Sequence, residues 1–388
     1  MESHPLILII LLISFNLLLQ GFVATPFKNE KLRFRRRLDI KNNPATKTFV
    51  TKHGDILDCV DIDKQPAFDH PLLKNQSIQV KPTQLIGRPT SVSTTSSQFL
   101  PKRMRCPQGT VPIKRVKKED LVMQKVSPLL GTTPMFPTSN FSNSVNGHEM
   151  AGLVTYLKNM GASGKINVWN PQVKPNQYSQ TVVFVAADDG SVTNFIHIGW
   201  MVSPTMYPNS TQPHLYLYWT KDSGKTTGCY DTMCPGFVQV SRKAYLGQII
   251  TTISRKFHKQ YFISVEIRQD IRTKDWWLYF EGEAVGYLPV ALFSTLNGGA
   301  GRAGWGGETY SPDKEPPPEM GSGYQADLKT AFERVCAITN LKLQAPQLFP
   351  KREDLRYYMT NNSTYNVIYD NFGDYWEDFI YFGGPNKY

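Results

Sequence analysis

The sequence predicts an all-β fold, an antiparallel two-sheet β-sandwich filling the C-terminal part of the chain, preceded by a small disulfide-linked domain. Three observations predict it. After His148 the chain reads as short apolar or aromatic runs broken by turn residues. Within those runs aliphatic residues alternate with aromatics, His, Gly and Glu. Turn dipeptides fall between them, at Asn170-Pro171, Asp189-Gly190, Ser223-Gly224 and Asn297-Gly298.

The chain begins with an apolar run, Leu6 to Leu19, interrupted only by Ser14 and Asn16. That run is long enough for a signal-peptide core and short for a membrane span, so residues 1–24 are expected to be a secretory signal. The mature protein is then expected outside the cell and off the membrane. Sequons at Asn75, Asn140, Asn209, Asn361 and Asn362 fit that route. An oxidising compartment makes disulfides the default for the 5 cysteines, at positions 59, 106, 229, 234 and 336.

The net charge of +11 is confined to the N-terminal third: residues 126–388 hold equal numbers of acidic and basic residues. Secretion and this neutral remainder argue against nucleic acid as a partner. A basic stretch beside a neutral domain reads as a removable pro-segment or a wall-surface anchor, and we assign residues 25–126 to it. It opens with the basic arm Lys31 to Arg37, and Cys59 to Leu73 and Cys106 to Ile113 close one small domain around the loop Pro89 to Gln98. Asp63, Asp69 and His70 match no metal-ligand spacing, and neither metal nor cofactor is expected. Residues 127–146 have linker composition, which leaves 147–388 for the sandwich.

The expected strands are Gly152–Leu157, Lys165–Trp169, Gln180–Ala187, Asn194–Val202, His214–Thr220, Gly236–Val240, Tyr261–Arg268, Trp276–Val285, Gly304–Tyr310, and runs near Tyr365–Tyr369 and Phe379–Phe382. Asp327 to Ile338 fits a helix or a strand. Alternation puts Ile196, Ile198, Trp200 and Val202 on a core face and Phe195, His197, Gly199 and Met201 on the other; Leu215, Leu217 and Trp219 likewise oppose His214, Tyr216 and Tyr218. Leu278 and Phe280 oppose Trp277, Tyr279, Glu281 and Glu283. Tyr216, Tyr218, Trp277, Tyr279 and Trp305 are the expected lining of a cleft for an extended peptide or glycan.

Gly304-Trp305-Gly306-Gly307-Glu308-Thr309-Tyr310 is the stretch where chemistry is expected. Gly304, Gly306, Glu308 and Tyr310 share one face, so Glu308 stands on a surface cleared by glycines, where another backbone could approach.

The order Tyr218-Trp219-Thr220, Thr227-Gly228-Cys229-Tyr230-Asp231, Cys234-Pro235-Gly236-Phe237-Val238-Gln239, Trp276-Trp277-Leu278-Tyr279, Val285-Gly286-Tyr287, Gly304 to Glu308 and Met320-Gly321-Ser322-Gly323 resembles the plant neprosin family. So do Cys59-Val60-Asp61-Ile62, the run Lys64 to Asn75 and Cys106-Pro107. The resemblance covers nearly everything after about residue 50. It implies a secreted zymogen, an activation peptide ahead of a glutamic endopeptidase that cleaves after proline at acidic pH, with the pro-region as its own intramolecular cover and proline-rich peptide as substrate. The implied dyad is one Glu in a Glu-x-Gly-Trp segment and one in Gly-Gly-Glu. The second maps onto Glu308. The first maps onto His197-Ile198-Gly199-Trp200, where this chain carries His. Two carboxyl groups can share a proton because like charges separate their pKa values, whereas a Glu beside His is expected to form an ion pair. The site is therefore expected to have lost or altered activity, or only to bind proline-rich peptide or wall glycan. Disulfides Cys59–Cys106 and Cys229–Cys234 are expected, with Cys336 a buried thiol.

Overall fold

The computed structural model describes residues 44–83, 98–117, 147–312, 315–328, 331–344, 350–371 and 378–386. The expected signal, the basic arm, nearly all of the 89–98 loop, the 127–146 linker and Asn140 lie outside them.

The N-terminal region forms a three-stranded antiparallel sheet of β1 (Lys47–Val50), β2 (Ile56–Asp61) and β3 (Thr110–Lys114), in the order β1-β2-β3. The Cys59–Cys106 disulfide ties it to the loop before β3, with Cα atoms 5.4 Å apart. The rest is a two-sheet sandwich. The first sheet uses β4 (His148–Thr155), β6 (Tyr178–Asp188), β7 (Thr193–Val202), β8 (His214–Thr220), β9 (Cys229–Tyr230), β14 (Arg302–Tyr310) and β16 (Leu355–Met359), in the order β16-β4-β14-β6-β7-β8-β9. The second uses β5 (Gly161–Asn167), β10 (Val238–Gln239), β11 (Phe262–Gln269), β12 (Trp276–Phe280), β13 (Glu283–Leu288), β15 (Cys336–Leu343), β17 (Asn366–Asn371) and β18 (Asp378–Gly383), in the order β10-β13-β12-β11-β5-β15-β18-β17.

The core between the sheets is built by the expected alternation. Ile196, Ile198, Trp200, Leu215, Leu217 and Trp219 face Ile263, Val265, Ile267, Trp276, Leu278 and Phe280 in one cluster. The other residues of β7 and β8 form a second buried cluster on the outer face of the seven-stranded sheet. That face is closed to solvent. The N-terminal region also reaches the main core, through fully buried Leu73 and through Phe99, whose ring meets Phe280 edge-on at 6.2 Å.

Three details differ from the expectation. The run Trp276–Val285 is a hairpin, because Glu281 and Gly282 adopt positive φ of 52° and 76° and turn the chain between β12 and β13. Glu281 and Glu283 therefore do not share a strand face: the Glu281 carboxylate accepts the Ser264 amide at 2.7 Å, and Glu283 pairs with Lys243 at 2.8 Å. β9 and β16 carry too little periodicity to be read from sequence. The ambiguous 327–338 segment resolves into a short helical turn, Ala331–Arg334, followed by β15.

The Cys229–Cys234 bridge is formed and Cys336 is a buried thiol, its pKa pushed beyond its ordinary range by burial. Asn75, Asn209 and Asn362 are exposed; Asn361 is half-buried, its side-chain amide reaching Glu149 at 3.4 Å. Among the described residues, no group of three or more His, Cys, Asp or Glu could hold a metal ion, and no helix is long and apolar enough to cross a membrane.

Candidate active site

β14 sits in the middle of the seven-stranded sheet between β4 and β6, so every residue along it is flanked on both sides. Glu308 lies opposite Met150 on β4 and Gln180 on β6, and Gln180 lies opposite Met201 on β7. The side chains around Glu308 are thus set by register between strands far apart in sequence.

The glycines before Glu308 do not leave an open surface. A Cβ on Gly304 would lie 2.3 Å from the Phe184 ring, and one on Gly306 would lie 2.6 Å from the Tyr358 hydroxyl. Their missing side chains admit the protein's own aromatics, which corrects the expectation of room for another backbone. Trp305 points the other way, into the inter-sheet core, where its indole N–H donates to the Ser163 carbonyl at 3.0 Å. It does not line the Glu308 face. Trp277 and Tyr279 are on the outer face of the other sheet, packed with Tyr287, Val238 and Ala67. Of the expected lining residues, Tyr216 and Tyr218 alone share the face of Glu308.

The Glu308 carboxylate is fully buried and accepts from three side chains. Gln180 donates its amide to Oε2 at 2.7 Å. On Oε1, the Tyr178 hydroxyl donates and His148 Nδ1 lies at 3.1 Å. His148 Nδ1 is also 3.0 Å from the Tyr178 hydroxyl, and Tyr310 stacks on Tyr178 at 5.8 Å and tilts against His148 at 4.9 Å, fixing both. Burial pushes the carboxyl pKa up, but the hydrogen bond and charge of His148, the Tyr178 hydroxyl and the more distant His197 outweigh it. Glu308 is held below its ordinary value, as a carboxylate.

His197 stands on the same face at a different level. It pairs with Phe184, which pairs with Gly304, so it is four residues along and two strands across from Glu308. That is about 13 Å along the strands and about 10 Å across them, measured between backbones. Its ring stacks on Phe195 at 4.7 Å and tilts against Phe184 at 5.7 Å and Tyr218 at 6.1 Å. Burial lowers its pKa to about 4, and the attraction of Glu308 restores only part of the loss. The expected imidazolium–carboxylate pair is therefore not what this face holds: desolvation outweighs the distant charge, and His197 is neutral above pH 4.

The residues on Glu308 itself, His148, Tyr178 and Gln180, were missed from sequence. Extending the same-face alternation of β6 back from Val182 would have found Gln180 and Tyr178. His148 opens β4 and carries no local sign of its role.

A family model described as Neprosin matches residues 175–385, and one described as Neprosin activation peptide matches residues 48–153. Among solved structures, scytalido-glutamic peptidase with a peptide-based transition state analog overlaps at 10% identity and a TM-score of 0.33, covering 63% of this chain and 100% of that one. SCP-B, a member of the eqolisin family of peptidases, in complex with the tripeptide Ala-Ile-His, overlaps at 10% identity and a TM-score of 0.28, with 63% and 100% covered. CG-16, a homodimeric agglutinin from chicken liver, overlaps at 8% identity and 0.22, with 40% and 92% covered. Overlaps this loose do not fix which residues correspond. With the family model spanning more than half of its length and an activation-peptide match ahead of it, the chain belongs to the neprosin family.

Proposed function

We propose that the protein is a secreted zymogen of an endopeptidase for proline-containing peptides, in which Glu308 and His148 do the work of the family's two glutamates. The observation that carries this reading is the buried Glu308 carboxylate held ionised by hydrogen-bonding side chains. An ionised carboxylate in a dry site is a general base for water, and a His on its Oε1 is a group able to hand a proton to a leaving amine. Tyr178 and Gln180 orient the carboxylate and leave it no freedom to rotate. His197 does not replace the missing carboxyl, because it is neutral and set among aromatic rings. Family membership supports the peptidase class; the preference for proline rests on the resemblance in sequence.

One observation favours a second reading, a peptide-binding protein without turnover. Phe184 and Tyr358 fill the space over the glycine row, and Glu308 has no exposure in this form of the chain. Digestion of a proline-rich substrate by the secreted, matured protein from pH 3 to pH 8 separates the two. Cleavage at pH 5–6 that is lost in both Glu308→Gln and His148→Ala supports the first. Binding of the same peptide with no cleavage at any pH supports the second and overturns the first.

A further inference from the structure

The N-terminal region touches the outer cluster of the seven-stranded sheet through Lys114, whose Nζ lies over the Tyr207 ring at 5.5 Å, and it reaches the other sheet as well. Residues 65–83 run over the outer face and free edge of the eight-stranded sheet, on the other side of the sandwich. β10 is the edge strand there, and an unpaired edge is a template for another chain. The side-chain amide of Gln65 covers it: its Oε1 accepts the Gln239 amide at 2.7 Å and its Nε2 donates to the Gln239 carbonyl at 3.1 Å, as a neighbouring strand would. Gln65 and Gln239 are both buried.

Beyond that contact the segment is anchored at each step. Ala67, Phe68 and Ile78 cover the ring surface of Trp277, Tyr279 and Tyr287. The turn Pro71–Leu73 packs on Val290–Leu292 and puts Leu73, with no exposure, into the main core. The Gln79 amide donates to the Tyr287 hydroxyl at 3.1 Å. Buried Asp270 then accepts the Thr83 amide at 2.6 Å, the Thr83 hydroxyl at 3.0 Å and the Gln79 side chain at 2.9 Å. These are the elements of peptide recognition: edge pairing, an aromatic platform, an apolar socket and a carboxylate that reads main-chain N–H.

We propose that the outer face of the eight-stranded sheet is a second peptide-binding site, separate from Glu308, for an extended proline-bearing chain. Residues 65–83 are its resident ligand, and the site keeps them when the covalent link is cut. The expected cleanly separable cover is replaced by a cut protein of two chains held by these contacts. The inference does not depend on whether Glu308 cleaves anything.

The test uses the full chain with a recognition site for a sequence-specific protease inserted after Lys125. After cutting, gel filtration under native conditions should give one peak containing both fragments, which part in denaturant. A dye-labelled peptide of residues 62–83 should exchange into the cut protein, and a scrambled peptide should not. Asp270→Asn should release the segment at least about tenfold faster. If that variant fails to fold, Thr83→Ala removes a hydroxyl contact from the ligand side and should speed release in the same direction. Separate elution of the fragments, equal binding of the scrambled peptide, or release unchanged by weakening the Asp270 contact would each overturn the proposal.

Discussion

Glu308 and His197 are buried to the same degree on the same face of the same sheet, yet burial has opposite results for their charge. Desolvation disfavours the ionised form of both. Glu308 has donors within hydrogen-bonding distance on each oxygen, and they outweigh the cost. His197 has rings against its faces and the opposite charge several residues away, and they do not. Direct hydrogen bonds decide which buried group keeps its charge; a shared face does not.

The largest test of that contrast is Glu308→Gln, which keeps the shape and removes the base. We expect kcat/KM on a proline-rich peptide at pH 5 to fall by about a thousandfold or more. A loss of less than tenfold would place the chemistry elsewhere.

Next come the two buried poles of acid stability. His197 titrates near 4 in the folded chain against about 6.5 unfolded, so the unfolded chain binds the extra proton first as pH falls. Its contribution is neutral above pH 6.5 and destabilising below it, reaching about 3 kcal/mol near pH 4. Asp231, buried and raised to about 6, carries the reverse sign: burial pushes it up, its bonds to the Leu217 amide and Tyr207 hydroxyl only partly offset that, and the folded state gains stability as pH falls from 6 towards 4. Denaturant melts at pH 7 and pH 4 should show His197→Leu losing less stability on acidification than the parent, and Asp231→Asn losing more. Parallel pH dependences in both variants would mean that other groups dominate.

A smaller effect is expected of Tyr178→Phe. Removing one donor to Oε1 should move the acid limb of the pH–rate profile upward by about one unit and lower kcat about tenfold, with KM nearly unchanged. An unmoved limb would assign Tyr178 to packing. The smallest effect expected is that of His197→Glu, which places a second carboxyl where the resemblance in sequence implies the family's first glutamate. Activity at pH 3–4 should stay within about twofold of the parent, because carboxyls set about 13 Å apart along the strands and about 10 Å across them, backbone to backbone, are too far apart to divide a proton. A gain of about tenfold or more, in a variant that melts normally, would show that positions 197 and 308 act together despite that separation.

The sequence by itself determined the two-sheet β class, the faces of β7 and β8, the position of Glu308 on an outward face, and the family. These follow from period-2 alternation and ordered motifs, which are local. It also marked the cysteines that the structure bridges, 59 with 106 and 229 with 234. Tertiary structure alone decided what each outward face meets. Trp277 and Tyr279 alternate just as Tyr216 and Tyr218 do, but they belong to the other sheet and are covered by the N-terminal region. Glu281 and Glu283 look like strand neighbours until positive φ at Glu281 and Gly282 folds the hairpin between them. His148 and Gln180 reach Glu308 only because β4 and β6 flank β14 in one register, more than 120 residues away in sequence. Alternation fixes which side of a strand a residue takes, whereas the partner on that side is fixed by long-range pairing and register, which no local pattern encodes.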